Sequence, residues 1–162
     1  MADIPVIHRL ITFHAERGRM LFRAHGELYE HLRDFFVAAE GETVVGCCAL
    51  ELVWRDLAEV KSLAVDETRR GGGIGKRLVT AAVKEGRRLG LERVFALTRE
   101  QAFFERLDFV VVGKETLPHK VWTDCIKCPV QHCCDEIAVV RTLTGEANRV
   151  DRPGALDAGH AG

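Results

Sequence analysis

The chain has 162 residues and a formal net charge of −1, with 47% hydrophobic and 29% charged residues. This length suits one domain with its own hydrophobic core, and the composition is ordinary for a soluble globular protein. The near-neutral charge argues against a general nucleic-acid binder, and no apolar run approaches the roughly 20 residues that span a bilayer. The N-terminus lacks the blocks of a signal peptide, so we expect a cytoplasmic protein whose 6 cysteines are mostly thiols or metal ligands.

The first half of the chain predicts two helices followed by three strands. Apolar residues at helical spacing predict a helix from Ile4 to about Gly18, with Asp3 as its cap and Pro5 in its first turn. A second, short helix is predicted from Gly26 to Arg33. Tight turns at 41–42 and 55–56 separate the strands. The predicted strand bounds are Phe35–Glu40, Thr43–Trp54 and Ala58–Val65.

The second half of the chain alternates helices with short strands. A long helix is predicted from Ile74 to Leu89, and Gly90 is expected to end it. The later elements are a strand, a short helix and two more strands, predicted at Arg93–Leu97, Gln101–Leu107, Val110–Gly113 and Ile137–Val140. We expect the domain to span residues 1–144. Residues 145–162 are polar and then rich in glycine and alanine, which predicts a disordered tail.

The turn at residues 70–76 reads Arg-Gly-Gly-Gly-Ile-Gly-Lys and is the most informative stretch. It joins a predicted strand to a predicted helix, where free N–H groups and the positive end of the helix dipole attract anions. Neither the Walker spacing nor the dinucleotide fingerprint fits it. The spacing that remains is Arg/Gln-x-x-Gly-x-Gly, met by Arg70, Gly73 and Gly75. The turn therefore predicts a phosphate site, and the alternative is an ordinary flexible turn between a strand and a helix.

Together with the strand residues Leu63–Val65, this turn resembles the pyrophosphate-binding turn of the GNAT superfamily of acyl-CoA N-acyltransferases. The resemblance covers roughly Ile7 to Val140. It implies an α/β fold with a mixed, mostly antiparallel twisted sheet, flanking helices and splayed central strands. That fold usually opens with a strand before the first helix. Here the first helix starts almost at Met1, so we expect that strand to be missing or truncated.

One branch of the superfamily is closer than the rest. The segments Ala58–Val65 and Phe103–Phe109 are similar to the acetyltransferase domain of N-acetylglutamate synthases, and Leu117–Pro129 resembles their short bacterial form. The resemblance implies acetyl transfer from acetyl-CoA to the α-amine of L-glutamate, the first step of arginine biosynthesis. Two alternatives stay open. One is transfer to another small amine, a peptide or a protein N-terminus, and the other is a non-catalytic acetyl-CoA sensor.

The resemblance also implies how acetyl-CoA would bind. The amides of the turn would hold the pyrophosphate, and the exposed backbone of the splayed strand would bind the pantetheine arm. One amide, for which we take Val65, would polarise the thioester carbonyl. The residues assigned to acetyl-CoA are Leu63, Ala64, Val65, Arg70, Gly71, Gly72, Gly73, Ile74, Gly75, Lys76 and Phe104.

Catalysis requires a neutral amine, and Glu59 is the candidate base. It holds the place of the general-base glutamate of several histone acetyltransferases, and an apolar strand would raise the pKa of its carboxyl. The alternative is a glutamate that pairs with an arginine or faces solvent. Many members protonate the departing thiolate with a tyrosine, but Phe104 matches it here and cannot donate a proton. Asp108 stands where a glycine is usual.

A glutamate site needs cations for two carboxylates, preferably with an arginine that binds one bidentately. Arg23 matches a substrate-binding arginine of the longer synthases. Lys61 shares a strand face with Glu59. Arg99 follows a strand end, where ligands of α/β proteins tend to bind, and Lys120 lies in the short-form segment. The alternative for each is a solvated surface charge.

The cysteines near the C-terminus suggest a metal site. Cys125-x-x-Cys128 followed by Cys133 and Cys134 has the spacing of a metal knuckle. The resemblance to the short synthase form covers Cys125, Cys128 and Cys134, the candidate zinc ligands, and leaves Cys133 as an extra cysteine. Further candidate ligands are His119, His132 and Asp135. A reversible disulfide and buried or free thiols are the alternatives. Many GNAT proteins dimerise through C-terminal strands, so Ile137–Val140 is a candidate homodimer contact.

Overall fold

The computed structural model describes residues 1–126, 128 and 134–144. The helices are α1 (Ile4–Ala15), α2 (His25–Glu30), α3 (Ile74–Arg88), α4 (Gln101–Glu105) and α5 (Thr123–Ile126). The strands are β1 (Phe35–Glu40), β2 (Thr43–Trp54), β3 (Leu57–Val65), β4 (Arg93–Thr98), β5 (Val110–Val112) and β6 (Ile137–Thr142). Short 3₁₀ turns occupy Leu32–Asp34, Glu67–Arg69, Lys114–Thr116 and His119–Trp122. The predicted tail at 145–162 lies outside the described residues.

The order of predicted helices and strands is confirmed, although several bounds move. The first helix ends at Ala15, before the predicted Gly18. Asp3 holds its N-cap position but makes no side-chain capping bond, and Pro5 lies in the first turn as predicted. Gly90 adopts φ 76° just after α3, which confirms that it ends the helix. No helix in the described ranges is long and apolar enough to cross a membrane.

The six strands form one sheet in the order β1-β2-β3-β4-β6-β5. Only β3 and β4 run parallel, and every other pair is antiparallel. This confirms the predicted mixed, mostly antiparallel sheet. The predicted dimer strand β6 is hydrogen-bonded to both β4 and β5. Residues Ala138–Val140 are therefore paired on both sides, whereas Arg141 and Thr142 pair with β4 alone.

The central strands β3 and β4 separate after a short paired stretch, as predicted. Their pairing begins at Leu57 and Arg93 and ends at Glu59 and Phe95, although β3 continues to Val65. Beyond Glu59 a wedge opens between the two strands. We call this wedge the splay.

A bulge at Ser62 interrupts β3. Ser62 has φ 53°, and the β2–β3 register shifts between Cys47 and Ala49. Before the bulge, Leu57 packs on the face away from α3; after it, Leu63 and Val65 pack on the α3 face. One extra residue in a strand reverses its alternation. Glu59 and Lys61 therefore face opposite α3, and the side chains of Leu63 and Val65 face towards it.

Helix α3 packs closely on the sheet at Gly46 of β2. A Cβ at Gly46 would lie 3.0 Å from Cγ2 of Ile74 and 3.1 Å from Cδ1 of Leu78. The apolar stripe of α3 is buried in the same contact and consists of Ile74, Leu78, Val79, Ala82 and Val83. Helices α1 and α2 cover the opposite face, where Ile4, Ile7 and Ile11 pack with Leu28, Cys47 and Ala64.

Two cysteines of β2, Cys47 and Cys48, are buried in the core. Burial raises the pKa of the Cys47 thiol from 9.0 to about 12 and raises that of Cys48 further. We expect neither to react with iodoacetamide at pH 8 in the folded protein, since only the thiolate attacks. Peptide-resolved mass spectrometry checks this, with the urea-unfolded chain as control. Equal labelling of both states at these two positions would contradict it.

These pKa shifts also determine whether the free energy of unfolding rises or falls at alkaline pH. Each thiol has a higher pKa in the folded chain, so its contribution is complete below pH 9.0 and is lost as the pH rises towards 12. We expect the free energy of unfolding to fall by about 1.4 kcal/mol per thiol and pH unit in that window. Urea titrations from pH 8 to 11 measure it, and a Cys47→Ala variant should show a shallower decline.

Candidate active site

The turn between β3 and α3 is shaped to accept an anion. Gly71 and Gly73 adopt φ 84° and 75°, which non-glycine residues rarely adopt. A Cβ at either position would meet nothing within 4 Å, so the space beside this backbone is open. The first N–H groups of the 15-residue helix α3, from Ile74 onward, have no acceptor within the helix. Backbone donors, the helix dipole and open space together suit a phosphate group.

The loop before the glycines is held by short side-chain contacts. Asp66 accepts from the N–H and Oγ1 of Thr68, at 2.9 and 2.6 Å, and these bonds lower the pKa of the Asp66 carboxyl. Arg70 lies 3.4 Å from Glu67, which also accepts from Arg19 at 3.0 Å. The predicted pyrophosphate cations Arg70 and Lys76 are both exposed.

The backbone of β3 offers hydrogen-bonding groups to the splay. Asp66 donates its N–H to Val45 O at 2.8 Å, so its amide faces β2. Because successive residues of a strand point to opposite sides, the N–H and C=O of Val65 face the splay. Ala64 is paired with Cys47 of β2 instead. Of the strand residues assigned to acetyl-CoA, Val65 therefore presents its backbone to the wedge and Ala64 does not.

Three charged side chains form a cluster at the apex of the splay, which is the point where β3 and β4 separate. Lys61 Nζ lies 2.5 Å from Glu51 Oε2 and 3.7 Å from Glu59 Oε2. The side chains of Lys61 and Glu59 are only 12% and 14% exposed, so this pair is screened little by water. Glu59 is the last residue of β3 paired with β4. The cluster therefore lies where β3 and β4 begin to separate.

A pocket of about 210 Å³ opens beside this cluster, between α2 and strands β1 to β3. Its lining includes Arg23, Lys61 and Ser62, so two of the four predicted substrate cations lie together. The pocket also contains four carboxylates, from Glu27, Glu30, Asp34 and Glu51. Three of these have partners: Glu27 accepts from Ala24 N–H, Asp34 contacts His31 and Glu51 contacts Lys61.

Of the other two predicted cations, Arg99 lies elsewhere. Arg99 forms an ion pair with Asp135 and donates to Gly18 O at 2.6 Å. It therefore links the end of β4 to the loop after α1 and does not line the pocket. Lys120 lies in the 3₁₀ turn His119–Trp122.

Phe104, assigned to acetyl-CoA, is buried in the core beneath α3. Its ring makes edge contacts with Phe103 and Phe109, with centroids 5.1 Å apart in each pair. Phe103, and not Phe104, packs beside the glycine turn. Its ring lies 3.5 Å from the position that a Cβ on Gly75 would occupy. The unusual Asp108 has φ 63°, a conformation that aspartate tolerates better than most residues and glycine adopts freely.

The zinc site on Cys125, Cys128 and Cys134 is not supported. Within residues 1–126, 128 and 134–144, no three His, Cys, Asp or Glu side chains are placed to hold a metal ion. The candidate ligand His132 lies outside those ranges. Burial, followed by the charges of Cys134 and Glu136, raises the pKa of the Cys125 thiol.

The sequence prediction missed three residues of the site. Glu51 was passed over although a carboxylate inside the apolar strand 43–54 is an unusual choice. Ser62 gave no warning of its positive φ, since serine has no special preference for that conformation. His14 is 7% exposed and donates from Nε2 to Val65 O at 2.8 Å. Its signal was a polar residue at the apolar spacing of Ile7 and Ile11.

Comparisons with known proteins agree with this geometry. The family model described as Acetyltransferase (GNAT) family matches residues 7–109. An uncharacterized N-acetyltransferase of Chlorobaculum tepidum is 43% identical over 143 residues, which make up 88% of this chain and 92% of that protein. An amino-acid acetyltransferase of Mycobacterium tuberculosis is 38% identical over 115 residues, or 68% of this chain and 65% of that protein.

This chain is also similar in fold to a solved structure. The N-acetylglutamate synthase of Neisseria gonorrhoeae, complexed with coenzyme A and N-acetyl-glutamate, superposes with a TM-score of 0.78 at 28% identity. The match covers 88% of this chain and 33% of that one. This chain thus spans about a third of the synthase.

Proposed function

Because the chain belongs to the GNAT family of acetyltransferases, we propose that it transfers the acetyl group of acetyl-CoA to the α-amine of L-glutamate. The observation that carries the proposal is the position of Glu59 at the apex of the splay, beside a pocket containing Arg23 and Lys61. The N-acetylglutamate synthase neighbour supports it, since that protein was solved with coenzyme A and N-acetyl-glutamate. The product would be the first intermediate of arginine biosynthesis.

The donor would bind along the α3 end of the splay. The pyrophosphate would sit on the open turn at Gly71 and Gly73, bound by the first amides of α3. The pantetheine arm would run beside β3 in place of the missing β4 pairing. The N–H of Val65 would then donate to the thioester oxygen, which gains negative charge as the carbonyl is attacked.

The acceptor amine would attack from the pocket side. Most α-amines are protonated at neutral pH, so Glu59 would accept a proton, directly or through a water. The amine nitrogen forms a bond to the carbonyl carbon, and the C–S bond of the thioester breaks. The CoA sulfur leaves as a thiolate that takes its proton from water, because Phe104 has none to give. Direct transfer of this kind uses no covalent enzyme intermediate.

Arg23 is proposed to bind the α-carboxylate of glutamate. Its planar guanidinium can donate two parallel hydrogen bonds to one carboxylate. Lys61 would meet the side-chain carboxylate, in exchange for part of its contact with Glu51. This exchange costs less free energy than burying a charge without a partner, since Lys61 has a carboxylate partner before and after binding.

A second acceptor class has one observation in its favour. The pocket contains four carboxylates, one arginine, one lysine and one histidine, a balance that attracts cationic amines more than dicarboxylic acids. Partners within the pocket offset much of that negative charge. Glutamate therefore stays the first proposal, and a cationic amine is the alternative.

The test is thiol release from acetyl-CoA with one acceptor at a time: glutamate, glutamine, aspartate, lysine or none. Glutamate-dependent release, with N-acetylglutamate identified by mass spectrometry, is the expected result. Faster release with lysine would move the function to a cationic amine. Tight acetyl-CoA binding without release for any acceptor would indicate a sensor.

Replacing Arg23 by alanine is expected to raise the KM for glutamate about 10- to 100-fold, because a charged pair of hydrogen bonds is lost. The KM for acetyl-CoA should change less than twofold. Arg23→Lys should recover only part of the affinity, since a lysine lacks the planar fork. Initial rates at varied glutamate measure the effect. An unchanged KM for glutamate would remove Arg23 from the acceptor site.

A further inference from the structure

We propose that His14 is a positioning residue that aligns the backbone of Val65 for the reacting thioester. His14 lies in the last turn of α1, far from the glycine turn in sequence, and its imidazole is buried. Its Nε2 contacts Val65 O at 2.8 Å across a separation of 51 residues. The proposal rests on the proposed function, since it assigns Val65 to the acetyl-CoA thioester.

The hydrogen bonds of His14 define its tautomer. A carbonyl oxygen can only accept, so Nε2 carries the hydrogen and donates it to Val65 O. Nδ1 then presents a lone pair, and Arg19 Nη1 lies 3.3 Å from it as a donor. The same guanidinium contacts Glu67 at 3.0 Å. The imidazole is thus oriented from one side by Arg19 and bound to Val65 on the other.

Val65 needs such a partner because of the splay. Its carbonyl points to the side that β4 has left, where a regular sheet would supply an N–H donor. His14 supplies a donor from α1 in its place, at 2.8 Å from Val65 O. The peptide that follows Val65 is then held from both sides, since its N–H, on Asp66, donates to Val45 O.

Holding that peptide also restricts the N–H of Val65. The N–H and C=O groups of one strand residue point the same way, so fixing the carbonyl limits how far the amide can turn. A donor acts on a developing oxyanion most strongly when it is already aligned before the reaction. In this proposal His14 acts on the reaction through Val65, whose carbonyl it binds.

A series of side-chain contacts connects His14 with the glycine turn, where the pyrophosphate is proposed to bind. Arg19 contacts Glu67, and Glu67 contacts Arg70, the predicted pyrophosphate cation. A ligand that draws Arg70 away from Glu67 would leave Arg19 as the remaining cation on that carboxylate. The thioester and pyrophosphate contacts are thereby joined through three side chains.

The experiment compares His14→Leu, which removes the donor, with His14→Gln, whose amide can still donate to Val65 O. Ile11→Val is the matched control, since it loosens the buried face of α1 without touching Val65. The readout is the infrared carbonyl stretch of acetyl-CoA labelled with ¹³C at the thioester carbon, bound to the full chain without an acceptor. The kcat and both KM values follow with glutamate.

In the wild type and in His14→Gln, the bound carbonyl band should lie below its position in free acetyl-CoA. In His14→Leu it should return towards the free position, and kcat should fall about 10- to 100-fold, a part of what one oxyanion donor supplies. The KM for glutamate should stay within about twofold. Ile11→Val should resemble the wild type. Should His14→Leu fail to fold, His14→Asn replaces it, because its amide is too short to reach Val65 O.

A wild-type band and kcat in folded His14→Leu would overturn the proposal, as would equal losses in His14→Gln and His14→Leu. A band shift that depends on His14 without acetylation of glutamate would overturn only the acceptor and leave His14 in its role. A wild type that does not bind acetyl-CoA would overturn both.

Discussion

Replacing Glu59 by glutamine is expected to lower kcat about 100- to 10,000-fold at neutral pH, the usual contribution of a positioned general base. Glutamine keeps the shape of the side chain but cannot take the proton of the acceptor amine. Glu51 still pairs with Lys61 in the variant, so the cluster does not leave an unpartnered ammonium. Thiol release at saturating acetyl-CoA and glutamate measures the effect.

The pH dependence separates loss of a base from general damage. As the pH rises, more of the acceptor amine is already neutral, so the deficit of Glu59→Gln should shrink by up to about tenfold per pH unit until the amine is fully deprotonated. Damage to the fold would give a deficit independent of pH. Glu92→Gln, an exposed carboxylate just before β4, is the matched control and should keep wild-type activity. A kcat within twofold of wild type in Glu59→Gln would assign the base elsewhere.

Replacing Gly46 by valine is expected to lower the free energy of unfolding by about 1–3 kcal/mol, the usual cost of overpacking. The first carbon of the new side chain already lies within about 3 Å of Ile74 and Leu78, so α3 must move off the sheet. Ile74 is the first residue of α3, next to the glycine turn. The displacement should therefore also raise the KM for acetyl-CoA, which urea titration and initial rates measure together.

A second glycine gives the matched control. Gly26 lies in α2, and a Cβ there would meet nothing within 4 Å. Gly26→Ala should stabilise the chain by about 0.5–1 kcal/mol through helix propensity. If Gly46→Val were as stable as the wild type, α3 could move away from the sheet without lowering the free energy of unfolding. A destabilised Gly46→Val with unchanged acetyl-CoA kinetics would show that the turn does not depend on the position of α3.

The fold could be predicted from the sequence because local patterns and the glycine turn agreed. The strand patterns predicted β1 to β3, the apolar stripe predicted α3, and Gly90 indicated where α3 ends. The resemblance carried by the turn supplied the splay, which periodicity alone does not reveal. Boundaries moved where no strong signal existed, as at the end of α1.

The site was harder to predict because it depends on contacts between distant segments. The partner of Lys61, Glu51, lies on the neighbouring strand, and only the register brings them together. Arg99 looked like a substrate residue from its place after β4, but Asp135 and the loop at Gly18 bind it. His14 is buried in a helix whose pattern predicted only packing. The residue types of the candidate site could thus be predicted from the sequence, whereas the contacts between segments determine which of these residues meet.

The bulge at Ser62 divides β3 into two stretches with separate duties. In the proposed function, the residues before it turn Glu59 and Lys61 towards the acceptor, and the residues after it present their backbone to the donor. Since backbone contacts depend little on side-chain identity, the first stretch can vary with the amine while the second keeps one carrier. A family built on such a strand can diversify its acceptors without rebuilding its use of acetyl-CoA.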